Sequence, residues 1–211
     1  MKKNWQPAWQ FKSYRIKLLT GILVLLAILV YFPFFFDAIE SRNGLVLSDF
    51  VLDRISPRDV SLFVFLLIWA SFLLLIIRLI PDPYLLLLML WGYNLLTVLR
   101  MMIIGLFSLN PPPALIPLTD PLTNIFYGPH YITHDLFFSG HTASVCLIYF
   151  CLKNKADKYF TCLATIFIGV LLLVQHIHYT IDVLAAPIFT YGVYRCARLF
   201  TRKELRLLTS A

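Results

Sequence analysis

Charge is scarce in this chain: Asp, Glu, Lys and Arg together make up 14% of its 211 residues, against 60% hydrophobic residues. That balance excludes an ordinary soluble domain, in which about a quarter of residues are charged. The four cysteines, Cys146, Cys151, Cys162 and Cys196, all fall in apolar runs and lack CxxC or Cys/His ligand spacing. Neither a disulfide framework nor a zinc site is expected, and the cysteines read as packing residues. No glycine-rich loop is present that would hold a soluble nucleotide, and the 11 acidic residues are too scattered for a two-metal site. No metal and no cofactor are therefore expected. The basic amino terminus leads into an apolar stretch longer than a signal-peptide core, with no small-residue cleavage site after it, and residues 31–36 continue the run. It reads as a retained first helix.

What the chain has in abundance is apolar runs near the length that crosses a hydrocarbon core, about 20 residues. They fall at 16–36, 60–80, 84–107, 136–152, 158–176 and 181–200, and short stretches between them hold nearly all the charges and prolines. The expectation is an all-α polytopic membrane protein, a bundle of six transmembrane helices with both termini on one side. As a domain layout this means a tail of residues 1–15, one membrane domain of residues 16–200 and a tail of residues 201–211, without internal repeats. The +7 net charge has to be read by position, because in such a chain it reports topology before any acidic partner. Fourteen Lys and Arg lie on the side of the termini, from Lys2 to Lys17, at Arg78, from Lys153 to Lys158 and from Arg195 to Arg206. Three, Arg42, Arg54 and Arg58, lie on the other, and Arg100 lies within a span. The bias puts both termini in the cytoplasm.

With that orientation, titratable groups far apart in sequence meet at the outer face. Arg100 lies about two turns from the outer end of the third span. His134, Asp135, Ser139, Gly140 and His141 open the fourth, His176 and His178 close the fifth, and Asp182 opens the sixth. His178 and Asp182 are four apart, on one helix face or close across a tight turn. The carboxylate can then hold one imidazole nitrogen, fixing the tautomer and stabilising positive charge while the other nitrogen attacks an electrophile. The alternative is a helix-surface pair worth a few tenths of a kcal/mol, though ionisable groups at membrane depth are expensive and usually functional. Ser139-Gly140-His141-Thr142 offers a close backbone approach, hydroxyl donors and a proton-donating histidine at a helix start that favours an anion. It also reads as a simple helix entry with an interfacial histidine. Arg100 suits a bidentate phosphate clamp or snorkels to the interface, and Asp135 orients a histidine, meets a head-group amine or caps a helix. His130, His134 and His176 are weaker candidates, and Pro111, Pro112 and Pro113 stiffen the outer loop or shape a lipid entrance.

Phe138-Ser139-Gly140-His141-Thr142 after Asp135, followed by His178-Tyr179-Thr180-Ile181-Asp182-Val183, resembles the two signature motifs of the sphingomyelin synthase family, which is related to the type 2 phosphatidic acid phosphatases. Leu99-Arg100 with Leu109-Asn110-Pro111-Pro112, and Ile80-Pro81-Asp82, are similar to further segments of that family, whose Cys-Gly before the aspartate is Thr133-His134 here. The resemblance implies a histidine phosphotransfer site: His178 attacks the lipid phosphorus, Asp182 orients it, and His141 protonates the leaving diacylglycerol oxygen and then activates the acceptor. Substrate contact is expected from Arg100, Asp135, Ser139, Gly140, Thr142 and Tyr179.

The expected function is transfer of a phospho-head group, phosphocholine or similar, from a glycerophospholipid to an alcohol such as ceramide or diacylglycerol. The first alternative is hydrolysis with water as acceptor, as in a lipid phosphatase or a phospholipase C-like enzyme. The second is a transporter or lipid-binding scaffold without catalysis. The expected partners are membrane phospholipid and a lipid acceptor or water, not nucleic acid, and oligomeric state is left open. The site is expected on the extracytoplasmic face of a bacterial inner membrane or of a Golgi or plasma membrane.

Overall fold

The computed structural model describes residues 2–118 and 133–209; His130, one of the weaker histidine candidates, lies outside the described residues. The described chain is built of helices: α1 (Lys2–Gln10), α2 (Lys12–Glu40), α3 (Ser61–Leu79), α4 (Pro83–Leu106), α5 (Gly140–Cys151), α6 (Lys155–Val174), α7 (Thr180–Phe200) and α8 (Arg202–Thr209). Their starts follow from local chemistry. Asp82 accepts the Leu85 N–H at 2.9 Å with Pro83 in the first helical position of α4, Asn154 accepts the Ala156 N–H at 2.8 Å at the start of α6, and Ser139 caps α5. The expected tail of residues 1–15 contains α1 and the first turn of α2.

Among the described residues four helices, α2, α3, α4 and α6, are by length and composition long and apolar enough to cross a membrane, where the apolar runs predicted six. The reason is local. The fourth apolar run becomes a helix of 12 residues, about 18 Å at 1.5 Å per residue and well short of a hydrocarbon core of about 30 Å, because residues 133–139 are irregular and the helix starts only at Gly140. The sixth forms a full 21-residue helix, but Asp182 occupies its first turn and Arg198 its last.

The short α5 is the centre of the packing. It contacts α4, α6 and α7, while α2 packs on α4 and α3 on α6. Its buried residues Ala143, Leu147, Ile148 and Cys151 form one core with Tyr84, Leu88 and Leu96 of α4 and Ala186 and Val193 of α7. A stacked ring pair, Phe138 on Phe189 at 4.8 Å, closes that core toward the start of α5. The outward faces of α2 and α3 stay apolar and exposed, as at Leu23, Val30, Phe34, Leu62 and Leu73, the pattern expected where lipid is the solvent.

The two ends of the bundle differ in kind. At one end, cations tie helices together: Arg78 grips Asp157 through Nε at 2.7 Å and Nη2 at 3.0 Å, Lys17 bonds Glu204 at 2.8 Å, and Lys153 bonds Asp82 at 3.0 Å. At the other, loops fold over the helix ends. Leu45 bridges Leu109 through Leu45 N–H to Ser108 C=O at 3.1 Å and Asn110 N–H to Leu45 C=O at 3.0 Å. Gly44 permits this, because a Cβ there would lie 2.6 Å from the Leu109 carbonyl carbon. Arg42 donates to the Ile104 and Gly105 carbonyls at 3.0 and 2.9 Å, placing a cation on the negative end of α4.

Candidate active site

The looped end holds the polar residues singled out from the sequence. His178 precedes α7, and Asp182 lies in the first turn of that helix. Of the two arrangements open to the pair, the structure adopts the tight turn: His178 Nδ1 is 3.4 Å from Asp182 Oδ2, with both side chains almost completely buried. Oδ2 also accepts the Tyr179 N–H at 3.0 Å, so the aspartate caps the helix as well as facing the imidazole. His178 Nδ1 and Asp182 Oδ1 have no hydrogen-bond partner among the described residues. Leaving a buried polar atom unpaired costs about 1–3 kcal/mol, and the cost falls here on two atoms of one His/Asp pair. The contact is short enough for an ion pair and not aligned as a hydrogen bond, a common state of such pairs before substrate tightens them. With Nδ1 turned to the carboxylate, Nε2 points the other way.

The start of α5 is fastened directly to this turn, because the Ser139 N–H donates to the Asp182 carbonyl at 3.1 Å. The Ser139 hydroxyl lies 3.1 Å from the Thr142 hydroxyl and accepts the Thr142 N–H at 3.4 Å. Both residues are buried, so their hydroxyls serve the helix start. His141 is half-buried on the first turn of the same helix.

Arg100 reaches this helix start from α4. Its Nε donates to the Phe138 carbonyl at 3.0 Å and its Nη2 to Asp135 Oδ1 at 2.8 Å, with the two side chains 17% and 26% exposed. A Cβ on Gly140 would lie 2.5 Å from Nη1 and 2.6 Å from Cζ. The glycine therefore makes room for a guanidinium, where the sequence suggested room for a ligand. Of the roles open to Asp135, the structure shows an ion pair with Arg100, while Ser139 caps the helix. Tyr179 lies elsewhere in the network: its hydroxyl accepts the Leu47 N–H at 3.2 Å and donates to the Asn110 carbonyl at 3.0 Å, holding the loops that follow α2 and α4 against the His178 turn.

Two further acids, Glu40 and Asp49, belong to this end and lie between the first two apolar runs, where they carried no signal in the sequence. Asp49 accepts the Thr180 N–H at 2.6 Å and the Thr180 hydroxyl at 2.9 Å, pinning the first outer loop to the start of α7. Burial pushes its carboxyl up, but the bonds from Thr180, Leu52 and Val51 outweigh burial and hold it below the ordinary value. Glu40, the last residue of α2, takes the Thr133 and His134 N–H groups on one oxygen. The weaker histidine candidates are braces: His134 Nδ1 faces Glu40 at 2.9 Å, and buried His176, with φ of 57°, sets its ring nitrogens 3.1 Å from the Pro113 carbonyl and 2.9 Å from the Ile55 carbonyl. The Pro111–Pro113 stretch thus gives the outer loop an acceptor for His176. No group of three or more His, Cys, Asp or Glu suited to a metal occurs among the described residues.

Residues 134–199 match the PAP2 superfamily C-terminal family. No curated protein and no solved structure matches the chain. The matched stretch runs from His134 through α7 and contains both histidine motifs, but neither Arg100 nor Glu40. A PAP2-type region with a buried histidine and aspartate is consistent with a phosphohydrolase or phosphotransferase type of site.

Proposed function

We propose that this protein is a membrane phosphotransferase of the sphingomyelin synthase type, moving a phospho-head group from a glycerophospholipid to an acceptor alcohol through a histidine intermediate. The observation that carries the proposal is the junction of three elements: the buried His178/Asp182 turn, the α5 start bonded to it, and the Arg100 guanidinium seated against Gly140. In this reading Nε2 of His178 attacks phosphorus and the bond from phosphorus to the diacylglycerol oxygen breaks. His141 supplies the proton to that oxygen. His141 then takes the proton of an acceptor hydroxyl, the acceptor oxygen bonds to phosphorus, and the phosphorus–nitrogen bond breaks to free His178. Asp182 stabilises the imidazolium. Arg100 and the positive end of the α5 dipole face the phosphoryl oxygens, on which charge is spread in the transition state. No step requires a metal or another cofactor.

In the same reading α5 and α7 complete a six-span bundle with cytoplasmic termini and an extracytoplasmic site. The cation-rich end with Arg78, Lys17 and Lys153 is the cytoplasmic one, as the distribution of Lys and Arg along the chain favours. The match to the PAP2 superfamily region favours a second reading, hydrolysis of a lipid phosphate, in which water takes the place of the alcohol. The test is head-group transfer by purified protein in liposomes, with labelled phosphatidylcholine or phosphatidylethanolamine and ceramide or diacylglycerol as acceptor, beside His178→Ala. Label on the acceptor lipid that vanishes in the variant supports transfer, a water-soluble labelled product supports hydrolysis, and neither product from any lipid overturns both readings.

A further inference from the structure

We infer that Glu40 is a positioning residue for Arg100, acting through the segment 133–135 and Asp135; the inference rests on the proposed role of Arg100 in holding a phosphoryl group. Helix α2 gives no reason for a carboxylate at this position. Glu40 is its last residue, at the negative end of the helix dipole, where an acid is disfavoured. Its partners supply the reason. Oε1 accepts the Thr133 N–H at 2.5 Å and the His134 N–H at 2.7 Å, and Oε2 lies 3.0 Å from the Thr133 hydroxyl and 2.9 Å from His134 Nδ1. One carboxylate thus occupies both backbone donors and both side chains of two consecutive residues. The far side of the His134 ring is closed as well, with Nε2 3.3 Å from Asn110 Oδ1, an oxygen that also accepts the Gly44 N–H at 2.8 Å.

The next residue is Asp135, whose Oδ1 holds Arg100 Nη2 at 2.8 Å. Residues 133–139 form neither helix nor strand, so no backbone ladder sets where Asp135 sits. C-terminal to Asp135 the segment is held by buried Leu136 and Phe138 and by the bond from Ser139 N–H to the Asp182 carbonyl; on its N-terminal side the anchor is Glu40. Because α2 packs directly on α4, the helix that carries Arg100, the Glu40 anchor is fixed relative to the guanidinium. The guanidinium also has little freedom of its own, since Gly140 leaves it no more than the space it occupies. Losing the Glu40 anchor frees Asp135 to drift and lets the cation turn away from the phosphoryl site.

The experiment compares Glu40→Ala and Glu40→Gln in two assays. The first is head-group transfer. The second is binding of orthovanadate, a phosphoryl mimic, to each variant with His178 in place, which needs no turnover. Glutamine keeps a carbonyl oxygen for the two N–H groups, so the inference expects Glu40→Ala to lose about 10- to 100-fold in transfer, the scale of a 1 Å misplacement, with a parallel loss in vanadate affinity. Glu40→Gln is expected to recover most of both. Glutamine as damaging as alanine would mean that the charge acts on substrate directly and would overturn the positioning role. So would alanine binding vanadate like its parent, or activity falling only in step with the folded fraction measured by size exclusion. If Glu40→Ala does not fold, the pair Thr133→Val and His134→Phe removes the side-chain half of the clamp and is expected to weaken vanadate binding about 3- to 10-fold, on the same misplacement scale; unchanged binding overturns the inference. Absence of transfer in the wild-type protein would sink the proposed function, while the vanadate comparison still decides the role of Glu40.

Discussion

Gly140→Ala is the sharpest perturbation the site offers, because it adds one methyl group at the point where α5 and Arg100 meet. The new Cβ would lie 2.5 Å from Nη1, 2.6 Å from Cζ and 2.9 Å from Nη2, whereas ordinary contact begins near 3.4 Å. The guanidinium must therefore retreat by about 0.9 Å, the difference between 3.4 and 2.5 Å. It cannot do so at constant bonding, since Nε is held by the Phe138 carbonyl and Nη2 by Asp135. The retreat is nevertheless cheap for the fold: the atoms in the way are the far end of a flexible side chain, whose adjustment offsets much of the strain. Catalysis has no such offset, and a displacement near 1 Å costs about 100-fold where a clamp must meet a phosphoryl group. The expected outcome is a well-folded protein with a midpoint of unfolding within a few degrees of wild type and transfer reduced about 100-fold. Gly105→Ala and Gly192→Ala, which add a Cβ into open space, control for the backbone change and should keep full activity. Activity of Gly140→Ala within twofold of wild type would refute the claim that the seat of Arg100 matters.

Asp182→Asn keeps an oxygen for the Tyr179 N–H and removes the charge facing His178, so transfer should fall by about 10²- to 10⁴-fold with little change in unfolding temperature; equal losses of stability and activity would reduce Asp182 to a cap. Ser139→Ala removes the α5 cap and the hydroxyl that bonds the buried Thr142 side chain, which should cost about 1 kcal/mol, measured by thermal unfolding in detergent. Asp49→Ala should cost about 1 kcal/mol at neutral pH by removing the bonds to Thr180. Because the folded carboxyl lies below its ordinary value of about 3.9, its contribution is fully present above that value and is lost as pH falls through the folded value. Unfolding measured from pH 7 to pH 3 should therefore show the gap between variant and wild type closing at the acid end, and a constant gap would contradict the assignment.

The geometry of the candidate site was legible where it depended on local spacing. A spacing of four from His178 to Asp182 dictates proximity whether the segment is helix or turn, and a Ser-Gly pair ahead of an apolar run dictates a capped helix start. Convergence on one end was legible because apolar runs leave polar groups nowhere else to gather. The length of α5 was not legible, since Leu136, Phe137 and Phe138 are as apolar as the helix that follows, and only the cap at Ser139 sets the boundary. Glu40 and Asp49 escaped notice for a different reason: their partners lie 93 and 131 residues away, and a contact at that separation leaves no periodic trace. The use of Gly140 was half legible. A glycine at a helix start announces close approach, but the approaching group, a guanidinium from another helix, is visible only in three dimensions.

The most direct test of histidine phosphotransfer is to trap the intermediate. Protein mixed with head-group-labelled phosphatidylcholine in the absence of acceptor, and quenched in alkaline denaturant, should carry label that is stable to base and released by acid, as a phosphoramidate is. It should map to His178 by mass spectrometry, vanish in His178→Ala and accumulate in His141→Ala supplied with a substrate that has a good leaving group. Label on any other residue, or turnover with no protein-bound label at any time point, would contradict the account.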